Sequence, residues 1–403
     1  MRRRLDLPAM LLAAALCQAA AGDDMVIEPL IAPGEQPSDT ELEGGLWALM
    51  EKAEQRVAAS PNRINDSELE DYLMTVLCKL SPGYCADIRI YIIRRPYFNA
   101  SMAPNGMMLV WTGFLLRVEN EAQLAAGLGH ELGHYLRKHT LDQFEDYRKK
   151  QNLITFLSLG AAAAANTNTR EGSISALTAD VVRLGTIASI YKFSRDHERE
   201  ADHHGAVMMA TSGYPVSEAA RVWQYLVEED ERDADPRYRG WSFLATHPPP
   251  EQREEKLNSY HASWNYQQTV SVGDARKRYV ERMGRILDLA LQDELDLSQP
   301  GRTLYLLERL RDSGYPAGTI SYYMGELYRR RGEDGDKLRS MEHFEQSVAA
   351  APPDPRAHKQ LGMAKLKAKD MQAARTHFLE YLEASPDSPD QEMVAFYLQM
   401  TEQ

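Results

Sequence analysis

Cysteine is scarce in this chain, with three in 403 residues. That excludes a four-cysteine structural zinc site and a small disulfide scaffold. Cationic residues are outnumbered, 46 Lys and Arg against 59 Asp and Glu, for a formal net charge of -13. A surface of that sign repels phosphate, which argues against nucleic-acid binding and against adhesion to anionic lipid by charge alone. Its ordinary effect is solubility. No uninterrupted run of about eighteen apolar residues occurs, so no transmembrane span is expected.

An apolar share of 43% is enough for a sizeable core, and the length suits two domains. Arg2, Arg3 and Arg4, the apolar run Leu7 to Ala15 and the small residues Ala19-Ala20-Ala21 read as a secretory signal over residues 1–21, cleaved after Ala21. Cys17 follows Leu16, with Ala14 three before it, a poor match to a lipid-attachment site. Cys78 and Cys85 flank a Pro82-Gly83 turn, and in an oxidising compartment they are expected to form a disulfide; two independent thiols are the alternative.

The spacing of apolar residues predicts helices over 41–58 and 67–79. Ile88 to Ile92 alternates as a strand. Asn99 to Met102 and Met107 to Trp111 are extended pieces joined by the turn Pro104-Asn105-Gly106. A small antiparallel sheet is therefore expected, followed by mainly helical structure to about residue 226. Glu121 to His139 reads as one helix. Residues 152–166 and 174–190 read as buried core helices or as an apolar lip near the site, and Glu228 to Asp235 as a solvated acidic loop. In the C-terminal third, Met324-Gly325, Tyr328, Phe344 and Pro352 share a spacing with Leu361-Gly362, Ala374, Phe378 and Pro386, a pattern like the 34-residue tetratricopeptide repeat. Residues 275–313 could be a degenerate further copy. The expected fold class is α+β: a mainly helical domain with a small sheet over 22–270, then an all-α repeat domain over 271–403.

His130-Glu131-Leu132-Gly133-His134 is an H-E-x-x-H motif inside the predicted helix. Residues four apart share a helical face, so both imidazoles can reach one ion, and Glu131 beside them can act as general base. A catalytic zinc needs a third protein ligand and one open position. Glu198 is the best candidate, in Ser194-Arg195-Asp196-His197-Glu198-Arg199-Glu200-Ala201-Asp202, with His197, Glu200, His203 and His204 as rivals. Asp202, four residues on, is placed to orient a ligand histidine. Ala201 is small enough for the two helices to pack closely. His139 is read as structural, pointing off the ligand face. His261, His343, His358 and His377 have no evident partners.

H-E-x-x-H followed by Glu-x-x-Ala-Asp resembles the gluzincin metallopeptidases of the CAAX-prenyl-protease and HtpX type. Asn120-Glu121 before Leu124-Ala125, Asn99-Ala100 before Pro104-Asn105-Gly106 and Thr112-Gly113, and His247-Pro248 before Arg253 extend the likeness over about residues 85–255. With a signal segment and repeats, it points to periplasmic members of that family. The resemblance implies one Zn2+ held by His130, His134 and Glu198, peptide hydrolysis with Glu131 as base, and a substrate added as a strand beside Asn99, Ala100, Ser101 and Met102. It also implies a role for His247 and Arg253 at the oxyanion, or for His247 as a cap on the open metal position. The expected substrates are misfolded or stalled envelope proteins, and the expected partner of the repeats is the outer-membrane assembly machinery. The competing expectation is a chaperone or assembly scaffold whose zinc site is structural or latent.

Overall fold

A computed structural model of the chain describes residues 25–38, 42–150, 193–232 and 250–402. The signal segment, Cys17, the stretches 152–166 and 174–190, residues 233–235 and His247 lie outside the described residues, while Glu228 to Glu231, expected in a solvated loop, lie in a helix with Glu229 buried.

The first described helix, α1 (Leu42–Ala58), buries Leu46, Met50, Ala53 and Val57, one stripe at helical spacing. It is followed by β1 (Arg63–Ile64), α2 (Ser67–Leu80), β2 (Arg89–Ile93), β3 (Ala100–Met102) and β4 (Met107–Trp111). All five β4 residues are buried because the sheet is covered on both faces. Met108 and Val110 join the main core with α2, whereas Met107, Leu109 and Trp111 face the α1 stripe. Each fully buried side chain of this size contributes about 1.5–3 kcal/mol.

The strand order is β1-β2-β4-β3, with β2 and β4 parallel and the outer pairs antiparallel. The sheet is thus mixed, where an antiparallel one was expected. Alternation marks a strand but not its direction. The β3–β4 hairpin turns through Gly106, whose φ of +85° and approach to the Asp87 carbonyl leave no room for a Cβ. The hairpin sets β3 on the outer edge, so β4 returns beside β2 in β2's own direction.

After α3 (Thr112–Arg117) comes the motif helix α4 (Glu121–Leu136), capped by Asn120, whose side chain accepts from the Ala122 and Gln123 amides. This helix ends earlier than the predicted His139. Lys138 adopts φ 53°, and a new helix α5 (His139–Lys150) starts in a different direction. Next come α6 (Arg195–Thr211), α7 (Ser217–Glu231) and α8 (Pro250–Ser263). Helices α9 (Val272–Met283), α10 (Leu287–Asp296), α11 (Pro300–Asp312) and α12 (Ala317–Arg331) still share the main core, which runs from Ile31 to Leu327. Buried Arg117 bridges this region, with Nη2 2.8 Å from Glu229 of α7 and 2.9 Å from Glu294 of α10.

Beyond it, α13 (Asp336–Ala349), α14 (Arg356–Lys367), α15 (Met371–Ala384) and α16 (Gln391–Met400) pack through small local clusters. One contact recurs: a Cβ on Gly325 would meet the Phe344 ring at 2.5 Å, and one on Gly362 the Phe378 ring at 2.6 Å. No described helix is long and apolar enough to cross a membrane.

Candidate active site

Two helices carry the centre, and glycine sets their separation. A Cβ on Gly133 would lie 2.9 Å from the Ala201 carbonyl, and one on Gly205 would lie 3.0 Å from the His130 amide. The α4 and α6 backbones therefore meet directly, which brings Glu198 opposite the two histidines. Ser194 caps α6 by accepting from the His197 amide.

The Nε2 atoms of His130 and His134 are 3.1 Å apart. Glu198 Oε2 lies 3.6 Å from the first and Oε1 3.5 Å from the second. Among the described residues, these three form the group that converges closely enough to hold a metal, with ligand atoms within 4.8 Å of one another. The donor chemistry fits. Each imidazole has its Nδ1 engaged, His130 with Asp202 Oδ1 at 2.9 Å and His134 with His139 Nδ1 at 3.0 Å. Both Nε2 atoms thus turn toward the Glu198 carboxylate, and two imidazoles with one carboxylate suit zinc. Of the rivals, His197 stacks on His139 at 4.2 Å, His203 sits against Tyr260 and Trp264, His204 Nδ1 lies 2.7 Å from the Glu200 carbonyl, and Glu200 pairs with His139 and Arg137.

Asp202 is buried beside Arg253, whose Nε donates to Oδ2 at 2.7 Å. Arg253 Nη1 is 3.0 Å from Glu198 Oε2, and the guanidinium lies 3.7 Å from the centroid of the Trp223 ring. Burial opposes ionisation of Asp202, but Arg253 and His130 outweigh it and hold its carboxyl well below the usual range. Arg253, expected at the oxyanion, thus has its donors turned to two carboxylates of the centre.

Glu131 is 4% exposed and lies beside the Met102 amide of β3. Burial pushes its carboxyl up to about 8; Glu198 adds to this, and His130, Arg253 and the Met102 amide oppose it. A group tuned near neutrality can both accept and return a proton. Asn99, Ala100, Ser101 and Met102 are all buried at this edge of the sheet. Ala103 donates to Met107 and Trp111 to Asn99 across the hairpin, so Ala100 and Met102 turn their backbone polar groups away from β4. An apolar hollow lined by Phe98, Phe114, Met209, Val222 and Leu257 opens beside His130 and Glu131. Away from the centre, the Cys78 and Cys85 Cα atoms are 4.9 Å apart, with their sulfurs in bonding contact.

Three features escaped the sequence reading. His139 touches His134, although it was expected to point off the ligand face: the left-handed Lys138 folds the chain back, so helical projection beyond Leu136 no longer applies. Phe193 stacks on the His134 ring at 3.9 Å, a contact between distant segments that leaves no local signal. The pair Gly129 and Gly133, four apart, was a legible sign of close helix approach.

The mixed sheet, the crossed helices and the His-His-Glu trio define a zincin-type metallopeptidase domain. Residues 66–261, just under half of the chain, match the model of Peptidase family M48. The chain is 25% identical over 194 residues to the putative beta-barrel assembly-enhancing protease of Vibrio cholerae, covering 47% of this chain and 38% of that one. It is 25% identical over 193 residues to the beta-barrel assembly-enhancing protease of Escherichia coli, again 47% of this chain and 38% of the relative. To the mitochondrial metalloendopeptidase OMA1 of Homo sapiens it is 28% identical over 170 residues, 42% of this chain and 31% of that one. The chain thus spans less than two fifths of the length of these relatives.

Proposed function

We propose that the protein is a zinc-dependent endopeptidase acting on misfolded or stalled envelope proteins in the periplasm. The observation that carries the activity is the placement of Glu131: beside the convergent His130, His134 and Glu198, and next to the edge strand β3. A structural metal site has no use for a buried carboxylate at that position. Bound by the trio, zinc supplies a Lewis acid that polarises the scissile carbonyl and acidifies water.

The chain's own residues do the rest. Glu131 takes a proton from the attacking water and delivers it to the leaving amine. The outward backbone groups of Ala100 and Met102 receive the substrate as an added strand. The apolar hollow beside His130 accepts an apolar side chain next to the scissile bond. Asp202 and Arg253 hold His130 and Glu198 in place. His247 assists at the oxyanion or caps the open position; faster turnover of His247→Ala marks a cap and lost turnover an assisting role.

The periplasmic setting is supported by the signal-like residues 1–21 and by the juxtaposed cysteines, which we take to be a disulfide. The repeated Gly–Phe contacts of α12 to α15 support tetratricopeptide repeats, a surface for outer-membrane assembly factors. The centre's burial, with His134 and Glu198 each 1% exposed, favours a second reading: a latent enzyme or scaffold.

Casein degradation by the purified chain with one equivalent of zinc tests the reading, beside Glu131→Gln. Hydrolysis by the wild type should drop by about 10²-fold or more in the variant, with zinc retained. Equal hydrolysis by both would remove Glu131 from the chemistry. Zinc binding without hydrolysis in either protein would favour the latent reading.

A further inference from the structure

The two ligand histidines are supported unequally. His130 Nδ1 meets the carboxylate of Asp202 directly, at 2.9 Å. His134 Nδ1 meets a second imidazole, His139 Nδ1, at 3.0 Å. The other nitrogen of His139, Nε2, lies 2.8 Å from Glu200 Oε2, and Glu200 Oε1 is 2.7 Å from Arg137 Nε. The side chain of His139 is 1% exposed and that of Glu200 33%.

One proton arrangement satisfies this chain of contacts. With His134 presenting its Nε2 lone pair at the centre, its Nδ1 carries the hydrogen and donates. His139 must then accept at Nδ1, so its own hydrogen sits on Nε2 and is donated to the Glu200 carboxylate. The same logic applies at His130, where Asp202 accepts and Arg253 neutralises the carboxylate. Glu200 and Asp202 are two residues apart on α6, and each is backed by an arginine.

We infer that His139 and Glu200 are positioning residues for His134: a histidine relay that fixes the ring's orientation and its Nε2 lone pair for the metal. The inference rests on the reading of His130, His134 and Glu198 as zinc ligands. The turn at Lys138 exists in this frame to return His139 to the ligand it serves.

Zinc affinity measured by competition with a chromophoric chelator tests it, together with the visible spectrum of the cobalt-substituted protein. His139→Phe keeps the ring but neither accepts nor donates, and should bind zinc about 10–100-fold more weakly with altered cobalt bands. His139→Gln, whose amide can accept from His134 and donate to Glu200, should restore most of the affinity. Glu200→Leu, at a partly exposed position, should lose about tenfold and serves if His139→Phe does not fold. Wild-type affinity and spectrum in a folded His139→Phe, or in Glu200→Leu, would overturn the relay. Failure of the wild type to bind zinc, or binding that survives His130→Ala, would overturn the ligand reading and the relay with it.

Discussion

At the scale of single residues, the centre is an arrangement of charges that hold one another in place. Asp202 meets both His130 and Arg253, and Arg253 reaches on to Glu198. Asp202→Asn keeps the shape and an acceptor for His130 but removes the charge facing a buried guanidinium. Zinc affinity should fall about 10–100-fold, and the fold should lose about 3–5 kcal/mol, since one partner of a buried ion pair is left uncompensated. Chelator competition and thermal unfolding of the same samples measure the two effects. Unchanged affinity would remove Asp202 from the support of the ligand.

At the scale of elements, the decisive contact is the crossing of α4 and α6. Leu132 and Gly133 fill the two unspecified places of the H-E-x-x-H motif, and Gly133 is the one that meets Ala201. In Gly205→Val the new side chain would press on the His130 amide, where backbone has no room to yield. A loss of about 1–3 kcal/mol is expected from overpacking, with weaker zinc binding as Glu198 moves away from the histidines. Calorimetry with and without zinc would show whether both fall together; a lost melting temperature with intact metal affinity would mean that the crossing does not set the site. The end of α4 was misplaced in the sequence reading for a related reason. Nothing in Leu136-Arg137-Lys138-His139 forbids another helical turn, and a non-glycine residue in the left-handed region is held there by its surroundings.

At the scale of the molecule, Glu121 joins three helices and the connection after α6. It accepts from Tyr72 of α2 at 3.2 Å, from Tyr214 after α6 at 2.9 Å and from Arg278 of α9 at 2.9 Å. Burial alone would raise its carboxyl, but Arg278 and the two phenols outweigh this and lower it. Because the folded value lies below the unfolded one of about 4.3, its stabilisation is present above that pH and lost as pH falls through the folded value. Glu121→Gln should therefore cost about 2 kcal/mol at pH 7, and the gap between the two proteins should narrow in acid. Denaturant titrations at a series of pH values would record it, and a gap that widens toward low pH would contradict the assignment.

Much of the centre could be read from one dimension. Helical spacing alone puts His130, Glu131 and His134 together, and Glu198 with Asp202, because 3.6 residues per turn is a local rule. The hairpin at Gly106, the α1 stripe and the recurring Gly and Phe positions of the C-terminal helices are local in the same way. What needed tertiary structure was every relation between segments distant in the chain. The parallel pairing of β2 with β4, the return of His139 onto His134, the capture of Arg253 by Asp202 and Glu198, and the stacking of Phe193 on a ligand ring each depend on which surfaces meet. That choice is made by packing the whole core at once, and no short stretch of sequence contains it.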